Sequence, residues 1–494
     1  MPGEAAKSVS RTIGVLSLTK VLTWISSSAL MFVLPRFLGP EEYGRLFLGT
    51  SIVMILGVVV DFGREYSVAK AISREREKAG WIVVNAVSAR ALIGVAAYIG
   101  MIIFAAVVHY PPEVRLILII LGIALFWRGA SGVLWSFFQG IEMMKYPSYG
   151  GIIESFSVAI LSIAALMAGA GATTLAGVML VCGFINFLVC SGFAWRLLGR
   201  LPRIDWHEAG RLLKQGFPYF LNSLFGIIYY RVGTVMLSLM TSDTVVGWYG
   251  AAIRLFDILM FIPSIFSISV FPVLARHWED KDALSRMTKK SIDFILLAGI
   301  PIAVGTIAFA SPIINLIFGF KGYAHSVAVM RVFGAGLLLV YIDMMLGTTL
   351  LATDKQRQLS ISAFLAIFVN VGLNFWLIPA TQAHFGNGGI GAGIATVVTE
   401  FFILLTMLAM MPRHILRGST IGVQMKAIAA GAAMGLVAWG MLAAGIHWIA
   451  SGIVSCGVYV GVVFLLKAVQ PHELSLISAA IPIARFFARG KSRQ

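Results

Sequence analysis

Charge is scarce in this chain. Only 12% of its 494 residues are Asp, Glu, Lys or Arg, against 59% hydrophobic residues. That leaves too little polar surface to wrap the soluble domains that a chain of this length would otherwise form. Cysteine is nearly missing. Cys182, Cys190 and Cys456 lie inside apolar runs, so neither a disulfide framework nor a metal-binding spacing is offered, and no cofactor is expected. Alternating apolar and polar residues are absent, and an open sheet edge does not survive in lipid, which excludes membrane-spanning strands. There is no Gly-Lys-Ser/Thr phosphate loop, which excludes ATP hydrolysis as the energy source. The N-terminal MPGEAAKSVSRT has charge but no small-residue cleavage site behind a short apolar core. The first hydrophobic run is therefore read as a retained span.

What the chain has in abundance is long apolar runs. They cover 12–35, 46–69, 82–108, 115–138, 149–169, 174–195, 217–240, 248–275, 291–314, 327–352, 359–379, 390–411, 427–446 and 449–466. Each is long enough to cross about 30 Å of hydrocarbon as a helix. The expected fold is an all-α integral membrane protein with 14 transmembrane helices. The net charge of +16 would suggest nucleic acid in a soluble protein; here the basic residues sit mostly between the apolar runs. Of 38 Lys and Arg, 27 fall in alternate connections and the termini, and four (Arg36, Arg45, Arg115, Lys321) fall on the opposite side. That asymmetry predicts both termini in the cytoplasm and an inner (plasma) membrane location, with no nucleic-acid partner.

A repeat organises the spans. LPRFLGPEEYGRLFLG (34–49) is echoed by LSLMTSDTVVGWYGAA (237–252), and TTLAGVMLVCGFIN (173–186) more weakly by GGIGAGIATVVTE (388–400). The halves share one orientation, so they relate by an axis along the membrane normal. The expected division is an N-lobe over 1–200 (spans 1–6), a basic linker acting as a hinge at 201–216, and a C-lobe over 217–412 (spans 7–12). Spans 13 and 14 follow at 413–467, then an amphipathic basic tail at 468–494 on the inner membrane surface. Pro263 and Pro272 in span 8, Pro218 and Pro301 are expected to permit bends.

Ionisable groups within spans are costly, by about 2.5–3.5 kcal/mol each on insertion scales, and should face an interior or water. The cations are Lys20, Arg64, Arg90, Arg128, Arg231, Arg254 and Arg331; the acids are Asp61, Glu65, Glu154, Asp257, Asp293, Asp343 and Glu400. Asp61, Arg64, Glu65, Arg90, Arg128 and Glu154 fall at one depth and could neutralise one another, Asp61 and Arg64 sharing a helical face. Arg254 and Asp257 are also three apart. Lys20 has no acid within a turn. Tyr229, Tyr230, Asn222 and Asn374 have the chemistry of glycan contacts, although such residues also serve as interfacial belts and interhelical glue. Asp61, Asp257, Asp343 and Glu400 are candidates for charge pairing or ion coupling.

RFLGPEEYGRL (36–46), SDTVVGWYGAAIRL (242–255), FIPSIFSISVFPVLAR (261–276) and GNGGIGAGIATVVTE (386–400) resemble the polysaccharide-transporter branch of the multidrug/oligosaccharidyl-lipid/polysaccharide (MOP) exporter superfamily. That branch holds the Wzx-type O-antigen flippases and is related to the lipid II flippase. The resemblance covers about residues 10 to 412 and implies two pseudo-symmetric six-helix lobes around a central cavity, plus an appended pair. It implies alternating access and an undecaprenyl-pyrophosphate-linked oligosaccharide as cargo, an O-antigen, capsule or exopolysaccharide unit. Spans 1, 7 and 8 line the cavity in that family. Lys20, Arg231 and Arg254, with Arg64, are therefore the expected cationic contacts for the pyrophosphate, Arg being preferred for its forked donors. The opposing reading is that Arg254 pairs only with Asp257 and Arg231 snorkels to the interface. Membrane lipids, a polysaccharide polymerase and glycosyltransferases are the expected partners.

Two other functions compete. A small-molecule or cation exporter of the same superfamily would favour acids in the first lobe, whereas span 1 carries Lys20. A membrane glycan polymerase or glycosyltransferase would need catalytic carboxylates on a substantial outer loop. The outer turns offer only Glu41, Glu42, Glu113 and Asp243, so no enzyme activity is expected.

Overall fold

A computed structural model describes residues 2–199, 202–412, 415 and 421–468; within its helices, residues 2–18, 20, 21, 65, 66, 320, 321 and 421 are described by their backbone alone. The expected tail at 468–494 lies outside the described residues, apart from its first position. The chain folds into seventeen described α-helices, with no strand among the described residues. They are α1 (Pro2–Asp61), α2 (Arg64–Arg74), α3 (Ala79–Val107), α4 (Pro112–Gly140), α5 (Lys145–Met167), α6 (Ala172–Leu198), α7 (Trp206–Met240), α8 (Asp243–Leu259) and α9 (Phe261–Arg276). There follow α10 (Lys281–Ala308), α11 (Ala310–Phe318), α12 (Phe320–Tyr323), α13 (Ser326–Ala352), α14 (Gln356–Phe385), α15 (Gly388–Met410), α16 (Ile421–Ala443) and α17 (Trp448–Leu465).

Among the described residues, thirteen helical segments are long and apolar enough to cross a membrane. The protein is a multi-pass membrane protein. The first segment, Leu22–Asp61, runs through two of the fourteen expected spans, because the turn between them amounts to a single kink. Gly39 takes φ 72° there, ahead of Pro40, and breaks the helical ladder. The kink frees the Pro35 carbonyl, which accepts the Tyr323 hydroxyl at 2.9 Å. Within the stretch expected as a linker at 201–216, α7 is already helical from Trp206, capped by Asp205 through the amides of His207 and Glu208.

Contacts divide the chain into two compact units. One comprises the chain to Arg254 with Ile314–Val329 and Ala363–Thr396; the other comprises Leu255–Ile313, Met330–Ser362 and the chain from Val397. In the first unit α4 packs on α3 and α6, and α1 packs on α5 and α7. Val68, Ile72, Ile82, Val133, Phe137, Phe138 and Leu212 form its buried cluster at the α2 end. In the second, α16 and α17 make a hairpin against α10, with Ile300, Ala430, Met434 and Tyr459 at the seam.

Two prolines in the second unit leave carbonyls open that tyrosines then meet. Pro263 has no amide hydrogen for the Leu259 carbonyl, and span 8 breaks there into α8 and α9. The Tyr341 hydroxyl donates to that carbonyl at 2.7 Å. Pro301 leaves the Leu297 carbonyl open in the same way, and Tyr459 donates to it at 2.8 Å. In an apolar medium an unmet carbonyl costs several kcal/mol, so these phenols make the two prolines tolerable.

Candidate functional site

The first unit contains a cavity of 430 Å³ walled by α1, α4, α5 and α6, with Arg254 of α8 closing one side. Its polar lining is Ser27, Tyr43, Thr50, Arg128, Glu154 and Arg254. The rest is apolar, from Leu30, Met31 and Met54 to Val158 and Met179. Two guanidiniums and one carboxylate thus face one hollow. Glu154 accepts a hydrogen bond from Asn186 Nδ2 at 2.6 Å and lies within electrostatic reach of Arg128.

Phe47 links two of the cations. The Arg231 guanidinium stands 5.6 Å and that of Arg254 5.7 Å from its ring centroid, and Arg231 also lies 4.6 Å from the Tyr230 ring. Such contacts attract a cation electrostatically, more strongly once water is removed. Arg231 is only 3% exposed, and among the described residues its Nε and Nη1 have no hydrogen-bond partner. Its guanidinium is buried against Phe47 of α1 and Tyr230 of α7, where snorkelling would call for an exposed end.

Arg64 is held elsewhere. Its Nε donates to Asp61 Oδ1 at 2.7 Å and its Nη2 to Oδ2 at 3.3 Å, a forked pair at the α1–α2 break. Arg90, 1% exposed, donates to the backbone carbonyls of Asp61 and Ala86 at 3.2 and 3.1 Å. The structure thus splits the charged group expected at one depth. Asp61, Arg64 and Arg90 pin the break, while Arg128 and Glu154 line the cavity. The Lys20 side chain lies outside the described residues.

Of the remaining candidates, Asn222 and Tyr230 are exposed and Tyr229 is half-buried, and all three engage neighbouring groups. Asn374 is fully buried, its Nδ2 donating to Asn370 O and Oδ1 at 2.9 and 2.7 Å. Asp257 falls in the second unit, as do Asp343 and Glu400, which interact with one another across α13 and α15. Among the described residues no group of three or more His, Cys, Asp or Glu side chains converges as a metal ligand set.

The first unit also contains two backbone-to-backbone contacts. In one, the kink of α1 meets the start of α8. A Cβ on Gly44 would overlap the Asp243 carbonyl, and a Cβ on Gly247 would overlap the Pro40 carbonyl. Arg45 fastens the same place, reaching Glu41 at 2.7 Å, Glu42 at 3.1 Å and Asp243 at 3.0 Å. Glu42 in turn accepts the first amide of α6, Ala172 N, at 2.8 Å. In the other, Gly63, with φ 67°, abuts the Gly216 carbonyl, and Gly216 abuts that of Phe62. Phe62 stacks on Phe220 there at 4.3 Å between centroids.

The sequence signal for the first contact was present in the repeat. Gly44 and Gly247 hold the same position in the two echoing stretches, as do Pro40 and Asp243. The overlap is reciprocal, each glycine meeting the carbonyl that lies four residues before the other. Phe47 and the inward aim of Arg128 and Glu154 had no such signal, because they depend on helix rotation.

Long apolar helices make up both units, and the charged cavity lies within the first. The sequence matches the family described as "Polysaccharide biosynthesis protein" over residues 9–278, and the chain belongs to that family. No curated protein matches it. Among solved structures it is similar to the lipid II flippase MurJ in an inward closed conformation, with TM-score 0.73 at 15% identity, covering 94% of this chain and 99% of that one. It is also similar to an inward-facing multidrug resistance MATE family transporter of the MOP superfamily, with TM-score 0.64 at 16% identity over 83% and 100%. A third is a MOP superfamily transporter from Pyrococcus furiosus with a binding pocket of reverse polarity, with TM-score 0.51 at 15% identity over 81% and 92%.

Proposed function

We propose that the protein is a flippase that carries an undecaprenyl-pyrophosphate-linked oligosaccharide from the cytoplasmic to the outer leaflet by alternating access. The carrying observation is the cavity in which Arg128 and Arg254 face one carboxylate, Glu154, inside an apolar wall. A pyrophosphate cannot cross hydrocarbon bare; fixed guanidiniums offer it forked, charge-assisted donors. The two guanidiniums against one carboxylate favour an anionic headgroup over a cationic drug. Arg231, with unmet donors beside Phe47, stands next along the path, and Lys20 retains its expected role.

The glycine contacts are the gates of this reading. The Gly44/Gly247 contact, with Arg45 and Asp243, closes the outer end; the Gly63/Gly216 contact closes the inner end. Backbone packed on backbone seals tightly yet has no interlocking side chains to disengage. The two six-helix lobes and cytoplasmic termini follow the repeat and the basic-residue asymmetry. No step requires chemistry on the glycan, so the protein transports and does not catalyse.

The test is flipping of a fluorescent prenyl-pyrophosphate oligosaccharide in proteoliposomes. Wild type should expose it to a reductant added outside. Arg254→Ala and Arg128→Ala should each cut the rate by at least about tenfold, as loss of a charge-assisted contact implies. Export of cationic dyes, with those variants fully active on them, would establish the drug-exporter alternative instead.

A further inference from the structure

The cavity holds an anion of its own. Glu154 on α5 lines it together with Arg128 and Arg254, and feels the charge of Arg128. Yet its carboxylate is bonded to an amide, Asn186 Nδ2 on α6, at 2.6 Å. That amide is itself fixed. Its Oδ1 accepts from Cys190 Sγ at 3.4 Å and presses on Gly150, where a Cβ would overlap it. The carboxylate thus shares the hollow with both guanidiniums and feels the charge of Arg128, yet among the described residues it forms no ion pair within 4.0 Å of either, its hydrogen bond going to Asn186 instead. A carboxylate held there lowers by one the positive charge that a cargo meets.

We propose that Glu154 is a specificity-determining release residue: a tethered counter-charge that limits how tightly the cavity holds an anionic headgroup, with Asn186 positioning it off Arg128. This rests on the phosphate-cargo reading and deepens it. Two guanidiniums alone would bind a pyrophosphate too well to let it go, and conduction needs a site weak enough to leave. An amide partner serves better than an arginine because it holds the carboxylate in place without cancelling its charge.

The experiment measures binding of geranylgeranyl pyrophosphate to the full-length protein in detergent, with geranylgeraniol as the uncharged control. Glu154→Gln, which keeps the shape, should bind the pyrophosphate about tenfold more tightly, the scale of one charge at roughly 10 Å and an effective dielectric of about 20. Asn186→Ala should bind it several-fold more weakly, because the released carboxylate turns onto Arg128. Asn186→Ser is the back-up if the alanine variant does not fold. Neither change should alter geranylgeraniol binding. In vesicles, Glu154→Gln should flip more slowly despite its higher affinity. Opposite signs are the signature, since a merely structural role would weaken both variants. Equal or weaker binding by Glu154→Gln, with Arg254→Ala still abolishing it, overturns this inference alone. If wild type binds the pyrophosphate no better than the alcohol, the phosphate-cargo reading falls with it.

Discussion

Replacing Gly44 and Gly247 together by alanine should open the contact between the α1 kink and α8. Real Cβ atoms essentially never come within 3.0 Å of another heavy atom, and both added atoms would lie inside that limit against a carbonyl oxygen. Neither neighbour is a flexible side chain that can swing aside. The two segments must separate, and Arg45 then loses its 3.0 Å bond to Asp243. Overpacking of this kind costs about 1–3 kcal/mol per site, but the two glycines act on one contact and do not add fully. Losing a charge-assisted bond contributes about 1.5 kcal/mol more, discounted because both partners keep some solvent. A net loss of about 2–3 kcal/mol shifts the closed state by some 30- to 150-fold. Spin labels at Phe37→Cys, an exposed site, and Ser242→Cys would report it by electron–electron distance measurement. Cys456, the exposed native thiol, would be changed to serine, with buried Cys182 and Cys190 left in place. Gly177→Ala in α6 is the control, since a Cβ there meets nothing within 4 Å. A distance distribution for the double variant that matches Gly177→Ala would refute the lock.

Two further outcomes follow from local structure. Tyr459→Phe should lower thermal stability by about 1–2 kcal/mol by stranding the Leu297 carbonyl, and adding Pro301→Ala should restore much of it, because the new amide hydrogen supplies the missing bond; a melting series that shows simple additivity would refute the pairing. Asp280 caps α10 through the amides of Asp282 and Ala283, and the Ala283 bond leads in holding its carboxyl below the ordinary Asp value. Its stabilisation is thus complete above the unfolded value of about 3.9 and is lost as pH falls through the lower folded value. Asp280→Asn should be flatter than wild type in a melting-versus-pH series over that acid range.

The membrane character of the chain was legible because hydrocarbon penalises charge and unpaired backbone so heavily that few sequences satisfy it. The open carbonyls before Pro263 and Pro301 were legible, since a missing amide hydrogen is a local fact. Their repair by Tyr341 and Tyr459 was not, because each tyrosine lies on a helix distant in sequence. The group of charges expected at one depth shows the same limit. Position along a span gave no rotation about the helix for Arg64, Arg128 or Glu154. Arg64 turns onto Asp61 and against Gly132, where a Cβ would overlap its guanidinium, whereas Arg128 and Glu154 turn into the cavity.

Composition and periodicity alone settled that this chain is a stack of apolar helices with a small set of buried charges. These properties are set residue by residue, through transfer energies that hold wherever the helix goes. Which charges share a hollow, which glycines let two turns touch, and which carboxylate is left beside two arginines were decided only when the helices packed. Such choices depend on angles of rotation and approach of a few ångströms, and those belong to pairs of helices and not to any one of them.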